Sequence, residues 1–151
     1  MPDKNLQRIF DLVKEYSLLP KGILIEKHTE TITVVEISEP EFANSKNVLI
    51  TRRAIKHFVE RRMEEFLKRN DFEKALKILV NIIFSLDDVF VNYDSVILDK
   101  GGLDIIFEKR SQYNNFIIRV VVENKREGLF IKTIHPKQIP PSQSKDKGKG
   151  K

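Results

Sequence analysis

Hydrophobic positions recur every three or four residues through most of the first half of the chain and every second residue from Val89 onward, so helices are expected to precede a sheet. Leu6, Ile9, Phe10 and Val13 follow Asp3, a residue type that caps helices, and predict an amphipathic helix over residues 3–17, closed by Pro20 and Gly22. The β-branched runs Ile23-Leu24-Ile25 and Ile32 to Ile37, separated by residues 28–31, predict a hairpin. Pro40 to Lys46 then reads as a polar loop.

After the short run Val48-Leu49-Ile50, Thr51 is placed to cap a second helix, whose apolar stripe is Ile55, Phe58, Val59, Met63, Phe66 and Leu67. Asn70-Asp71 breaks that helix and caps a third, in which Ala75, Leu76, Leu79, Val80, Ile82, Ile83 and Leu86 leave little polar surface. Such a helix belongs in the interior, packed with the second as a helical hairpin. The two-residue period predicts strands over Val89 to Leu98, Leu103 to Arg110, Asn114 to Glu123 and Leu129 to His135, with a turn at Asp99-Lys100-Gly101-Gly102.

The expected fold is therefore α+β: an N-terminal helix and hairpin, a helical hairpin, then a four-stranded antiparallel meander with helices on one face. Residues 1–137 are expected to form one globular domain, and the Pro-, Ser-, Lys- and Gly-rich residues 138–151 a disordered Lys-rich tail.

Composition changes this picture in a few places. With 151 residues, 40% of them hydrophobic, the chain suffices for a single core. Of the formal charge of +5, a net +4 lies in residues 137–151, five Lys against Asp146, which leaves about +1 for the body. The basic isoelectric point thus reports the tail, and any nucleic-acid surface on the body has to arise from local clustering. The absence of Cys excludes disulfides and thiolate metal sites. No apolar run approaches a membrane span, and residues 1–4 do not open a signal peptide, so no membrane contact and a cytoplasmic location are expected, the host cytoplasm if the chain is viral. Abundant Lys and Glu with two Met match a thermophile's composition, whereas nine Asn point the other way.

The candidate chemistry starts at His57. Residues three and four apart share a helix face, so Arg53, His57 and Arg61 lie together with Glu60 and Glu64, opposite the apolar stripe. Flanking guanidinium groups attract phosphate and disfavour imidazolium, which suits a neutral His acting as general base. The same spacing also fits a solvated charged face that merely contains a histidine. In the strand around Val120, alternation sets Arg119 among Ile117, Val121 and Glu123, either on a phosphate or in a cross-strand pair with Asp104, Glu108 or Glu123.

On the last strand, alternation sets Leu129, Ile131, Thr133 and His135 on one face and Phe130, Lys132 and Ile134 on the other, so Thr133 and Lys132 share a cleft only if a bulge intervenes. Thr133 carries a hydroxyl suited to a phosphate oxygen or to a neighbouring carbonyl, and Lys109 or Arg110 is expected to flank the same rim. His28 and His135 lack the partner spacing of a zinc site. Phe107, Phe116 and Phe130 read as core rather than base-stacking platforms.

The text Val48-Leu49-Ile50-Thr51 leading to His57-Phe58, then Val89 to Tyr93, Phe107-Glu108-Lys109, Arg119-Val120-Val121-Val122 and Ile131-Lys132-Thr133 resembles the barnase/EndoU/colicin/RelE-type nuclease fold, particularly its phage- and virus-associated branch. The resemblance covers residues 48–135, and the small Lys-rich, Cys-free chain is also similar to orphan proteins of archaeal viruses. It implies helices before a four-stranded antiparallel sheet and RNA cleavage, with His57, Lys109, Arg119 and Thr133 as catalytic positions. Arg53, Arg61, Arg110 and Lys132 are the accompanying substrate-binding candidates.

Three functions follow as expectations. The first is a metal-independent endoribonuclease with no cofactor, toxin-like, viral or mobile-element in character, for which RNA is the favoured partner and a cognate inhibitor protein a candidate one. The second is a metal-dependent DNA nuclease using Asp87-Asp88 with Asp94 or Asp99, although adjacent aspartates between a helix and a strand also serve as caps or turns. The third is a non-enzymatic nucleic-acid-binding or viral assembly protein whose tail supplies counterion release. Monomer and dimer are both open, since an exposed edge strand pairs copies unless it is blunted.

Overall fold

The computed structural model describes residues 4–18, 30–38, 41–111 and 115–138. Asp3, the strand expected at Ile23-Leu24-Ile25, His28, Asn114 and nearly all of the Lys-rich tail lie outside the described residues. The elements are α1 (Lys4–Ser17), β1 (Thr31–Glu36), β2 (Asn47–Thr51), α2 (Arg52–Phe66), α3 (Phe72–Val91), β3 (Ser95–Asp99), β4 (Asp104–Arg110), β5 (Phe116–Asn124) and β6 (Leu129–Gln138). The class is α+β, as the patterning predicts. No described helix is long and apolar enough to cross a membrane.

Helix starts follow their caps. The Thr51 hydroxyl accepts the Ala54 amide and the Asp71 carboxylate the Lys74 amide, each satisfying a donor that the first helical turn leaves free. α1 buries Leu6, Ile9, Leu12, Val13 and Tyr16, and it packs against both α2 and α3 rather than leaving those two as an isolated hairpin. Helix α3 runs on through Val89-Phe90-Val91, where the β-branched residues predict a strand. Val89 and Phe90 stand three and four positions after Leu86 on the buried stripe, and burial of that stripe outweighs local strand propensity. The helix ends at Asn92, whose amide donates to the Asp88 carbonyl, so Asp87 and Asp88 lie within it rather than between helix and strand.

The sheet has six strands in the order β1-β2-β6-β5-β4-β3. The expected antiparallel meander is present as β3 to β6, and two further strands extend it. β1 pairs antiparallel with β2, so the described partner of the Ile32 run is the Val48 run. β2 pairs parallel with β6 through Val48 opposite Leu129 and Leu49 opposite Phe130, making the sheet mixed. Gly128 permits that contact, because a Cβ there would collide with the Leu49 side chain beside the Asn47 carbonyl. At the β3–β4 turn, Lys100, Gly101 and Gly102 all take positive φ, which two glycines adopt without strain.

All three helices cover one sheet face, where Val48, Ile50, Ile105, Phe107, Ile118, Val120, Val122 and Leu129 are buried. Two departures from a regular sheet shape the other side. The chain leaves β2 at Thr51 and enters α2, so α2 rather than a strand lies against the second half of β6. A bulge also separates the pairs Val121–Thr133 and Val122–Ile131, making Lys132 the extra residue. Strict alternation therefore fails on β6: Ile134 joins Leu129 and Ile131 in the core, while Lys132 and Thr133 are both exposed.

Candidate functional site

Where α2 takes the place of a strand neighbour beside β6, a groove of about 330 Å³ opens. α2 contributes Ala54, His57, Phe58, Arg61 and Arg62, β5 contributes Arg119 and Val121, and residues 131–135 of β6 complete the lining. Each element places its side chain for a local reason. The Thr51 cap starts α2 so that His57 and Arg61 follow one turn apart, the pleat of β5 turns Arg119 away from buried Ile118 and Val120, and the bulge presents Lys132 and Thr133 together.

Five of the eight sequence-derived candidates thus meet: His57, Arg61, Arg119, Lys132 and Thr133. Arg53 lies in the first turn of α2 and does not line this groove. Lys109 stands opposite Ile118, whose side chain is buried under the helices, which directs Lys109 to the other face from Arg119. Lys109 and Arg110 line a separate pocket with Asp87 and Asp88. There Lys109 Nζ lies 3.4 Å from Asp94 Oδ1, and the Arg110 amide donates to Asp94 Oδ2.

The groove also holds two residues that the spacing argument passed over. His135 is the register partner of Arg119, so β5–β6 pairing brings it beside the cation on the exposed face. Arg62 stands four positions after Phe58 and four before Phe66, a cation on the apolar stripe itself, and only 9% of it is exposed. That mismatch between residue type and stripe position was the available signal. Its Nη1 donates to Glu65 Oε2 at 3.1 Å, while its Nε finds no hydrogen-bond partner among the described residues.

The groove is lined by four cations, Arg61, Arg62, Arg119 and Lys132, of which Arg62, Arg119 and Lys132 each hold a carboxylate partner. Burial holds His135 below the ordinary imidazole value, and Arg62, Arg119 and Lys137 push in the same direction against the opposing pull of Glu65. Burial also lowers Arg62, reinforced by Arg61 and opposed by Glu65, although a guanidinium stays cationic at neutral pH. Arg119 Nε donates to Glu108 Oε2 at 2.7 Å, the cross-strand pair that was one of its two expected uses. Lys132 Nζ donates to Asp104 Oδ2 at 3.1 Å, and Lys100 Nζ lies 3.3 Å from the same oxygen. Burial alone would raise the Asp104 carboxyl, but the hydrogen bonds from Lys132 and Lys100 outweigh it and hold the group below its ordinary value.

The carboxylates of the metal-based alternative do not converge. Asp87 accepts the Asp88 amide, Asp88 accepts the Asn92 side chain, Asp94 serves Lys109 and Arg110, and Asp99 accepts the Lys100 amide at the turn. Among the described residues no group of three or more His, Asp or Glu side chains is arranged to hold a metal ion. What the groove offers instead is two imidazoles, four cations and a hydroxyl, a set suited to binding an anion and moving protons beside it. Compared with protein-family models, curated proteins and solved structures, the chain matches none.

Proposed function

We propose that the chain is a small metal-independent endoribonuclease, similar in kind to the barnase/EndoU/colicin/RelE-type enzymes, acting in the groove between α2 and β6. The observation that carries this reading is the convergence of His57 and His135 with Arg61, Arg62, Arg119 and Lys132 on one concave surface. Two histidines among cations supply what RNA cleavage requires without a metal. One accepts the proton of the 2′-hydroxyl as its oxygen attacks the adjacent phosphorus, and the other returns a proton to the 5′-oxygen as the P–O5′ bond breaks. The products are a 2′,3′-cyclic phosphate and a 5′-hydroxyl.

In this scheme His57 is the base and His135 the acid, Arg119 and Lys132 stabilise the charge of the phosphorane, and Thr133 donates its hydroxyl to a phosphate oxygen. The carboxylate pairings of Arg119 and Lys132 do not oppose that role. Both cations are substantially exposed and carry N–H donors beyond the one each gives its carboxylate, so each can reach a phosphate while Glu108 and the nearly buried Asp104 hold it in place.

The test is cleavage of labelled single-stranded RNA by the purified protein in EDTA, alongside His57→Ala and His135→Ala. Cleavage that both substitutions suppress supports the proposal. Cleavage only of DNA and only with magnesium would replace it by the metal-dependent alternative, and RNA binding without cleavage by the binding-module alternative.

A further inference from the structure

The acid assigned above raises a difficulty that points to a specific subsite. His135 has to carry a proton when the 5′-oxygen leaves, yet its surroundings in the free protein oppose one. α2 turns Arg61, Arg62, Glu65 and His57 toward this region, β5 adds Arg119, and β6 adds Lys132 and Lys137. The carboxylates beside them are each engaged: Glu65 by Arg62 Nη1, Glu108 by Arg119 Nε and Asp104 by Lys132 Nζ. Arg62 also presents a buried guanidinium whose Nε is unpartnered among the described residues, and a buried donor left without an acceptor is unfavourable. A buried guanidinium N–H that these pairings leave unused, in a groove lined by further cations, is complementary to an oxyanion.

We propose that Arg62, with Arg119 and His135, forms a subsite for a single phosphate group of the substrate. The inference rests on the phosphodiester reading for the substrate's identity. Its consequence is a linkage: a phosphate seated there neutralises the cations that disfavour imidazolium and accepts a hydrogen bond from the ring. His135 then gains its proton because the substrate has arrived. By reciprocity, phosphate binds more tightly as the pH falls through the His135 titration.

Inorganic phosphate is the probe. The His135 ring resonances of the full chain are titrated against pH with and without phosphate, in the parent, in Arg62→Gln, and in Lys77→Gln as an exposed-cation control on α3. Phosphate is expected to raise the His135 midpoint by roughly one to three units in the parent and the control. Arg62→Gln is expected to weaken phosphate binding about tenfold or more. Phosphate that binds without moving His135, or binding that Arg62→Gln leaves unchanged, overturns the subsite. If Arg62→Gln does not fold, Arg119→Gln, at a half-exposed position, replaces it with the same two readouts. A parent that passes this test yet cuts no RNA overturns the nuclease reading and leaves the subsite standing. A parent that cuts RNA while His135 ignores phosphate overturns the subsite alone.

Discussion

Arg119 on β5 stands directly opposite His135 on β6, and the buried guanidinium of Arg62 on α2 acts on the same imidazole. A histidine that the sequence leaves at the end of a strand is thereby built into a cationic groove with His57, and the functional reading depends on that placement.

If the two imidazoles divide the proton transfers, His57→Ala and His135→Ala each lower single-turnover RNA cleavage in EDTA by roughly 10²- to 10⁴-fold. The double variant is expected to fall well short of the product of the two losses, because the groups act as a unit. A variant of either histidine that cuts at the parent rate removes that residue from the mechanism.

The pH profile carries a direction. His135 sits below the ordinary imidazole value in the free protein and has to be protonated to act as acid. The alkaline limb of kcat/KM, which reports the free enzyme, is therefore expected at lower pH than the alkaline limb of kcat, which reports the substrate complex. Coincident limbs would contradict the linkage between phosphate and proton.

Lys109 and Lys132 separate sequence expectation from tertiary placement. Lys132 lines the groove and Lys109 lies on the opposite face of the sheet. Lys132→Ala is expected to reduce cleavage about tenfold or more, and Lys109→Ala to leave it within about twofold. The reverse ranking in initial-rate assays would place the site elsewhere.

Asp104 is predicted to make stability depend on pH. Its carboxyl is held below the ordinary value, so its contribution is fully present above the unfolded-state value and is lost as pH falls through the folded-state one. Asp104→Asn should cost about 2 kcal/mol at pH 7 by urea denaturation, the scale of hydrogen bonds to a charged group. That gap is expected to narrow as the pH falls below the ordinary carboxylate range, and a gap that is constant with pH would argue against the ion pair.

Gly128→Ala tests the junction of β2 and β6. A Cβ there collides with the Leu49 side chain, which has to shift or repack. A loss of about 1–3 kcal/mol is expected in thermal or urea unfolding, the usual scale for overpacking. A neutral substitution would mean that Leu49 yields freely.

Local patterning determined much of this protein, because helix caps and hydrophobic periods belong to contiguous residues. Thr51 and Asp71 each start the helix they predict, the strands β4 and β5 follow their two-residue alternation, and the helix face carrying His57 and Arg61 was legible from three- and four-residue spacing. The same local reading ended α3 too early, since Val89 and Phe90 belong to a buried stripe whose partners lie elsewhere in the chain. Only the tertiary structure decided that β2 joins β6 in parallel, that Lys132 bulges out of the ladder, and that α2 lies against the remaining half of β6. Those outcomes bring together pairs such as Leu49 with Gly128 and Arg62 with His135, residues more than seventy positions apart. No local period encodes such contacts, and they are what turn a charged helix face and a strand end into one groove.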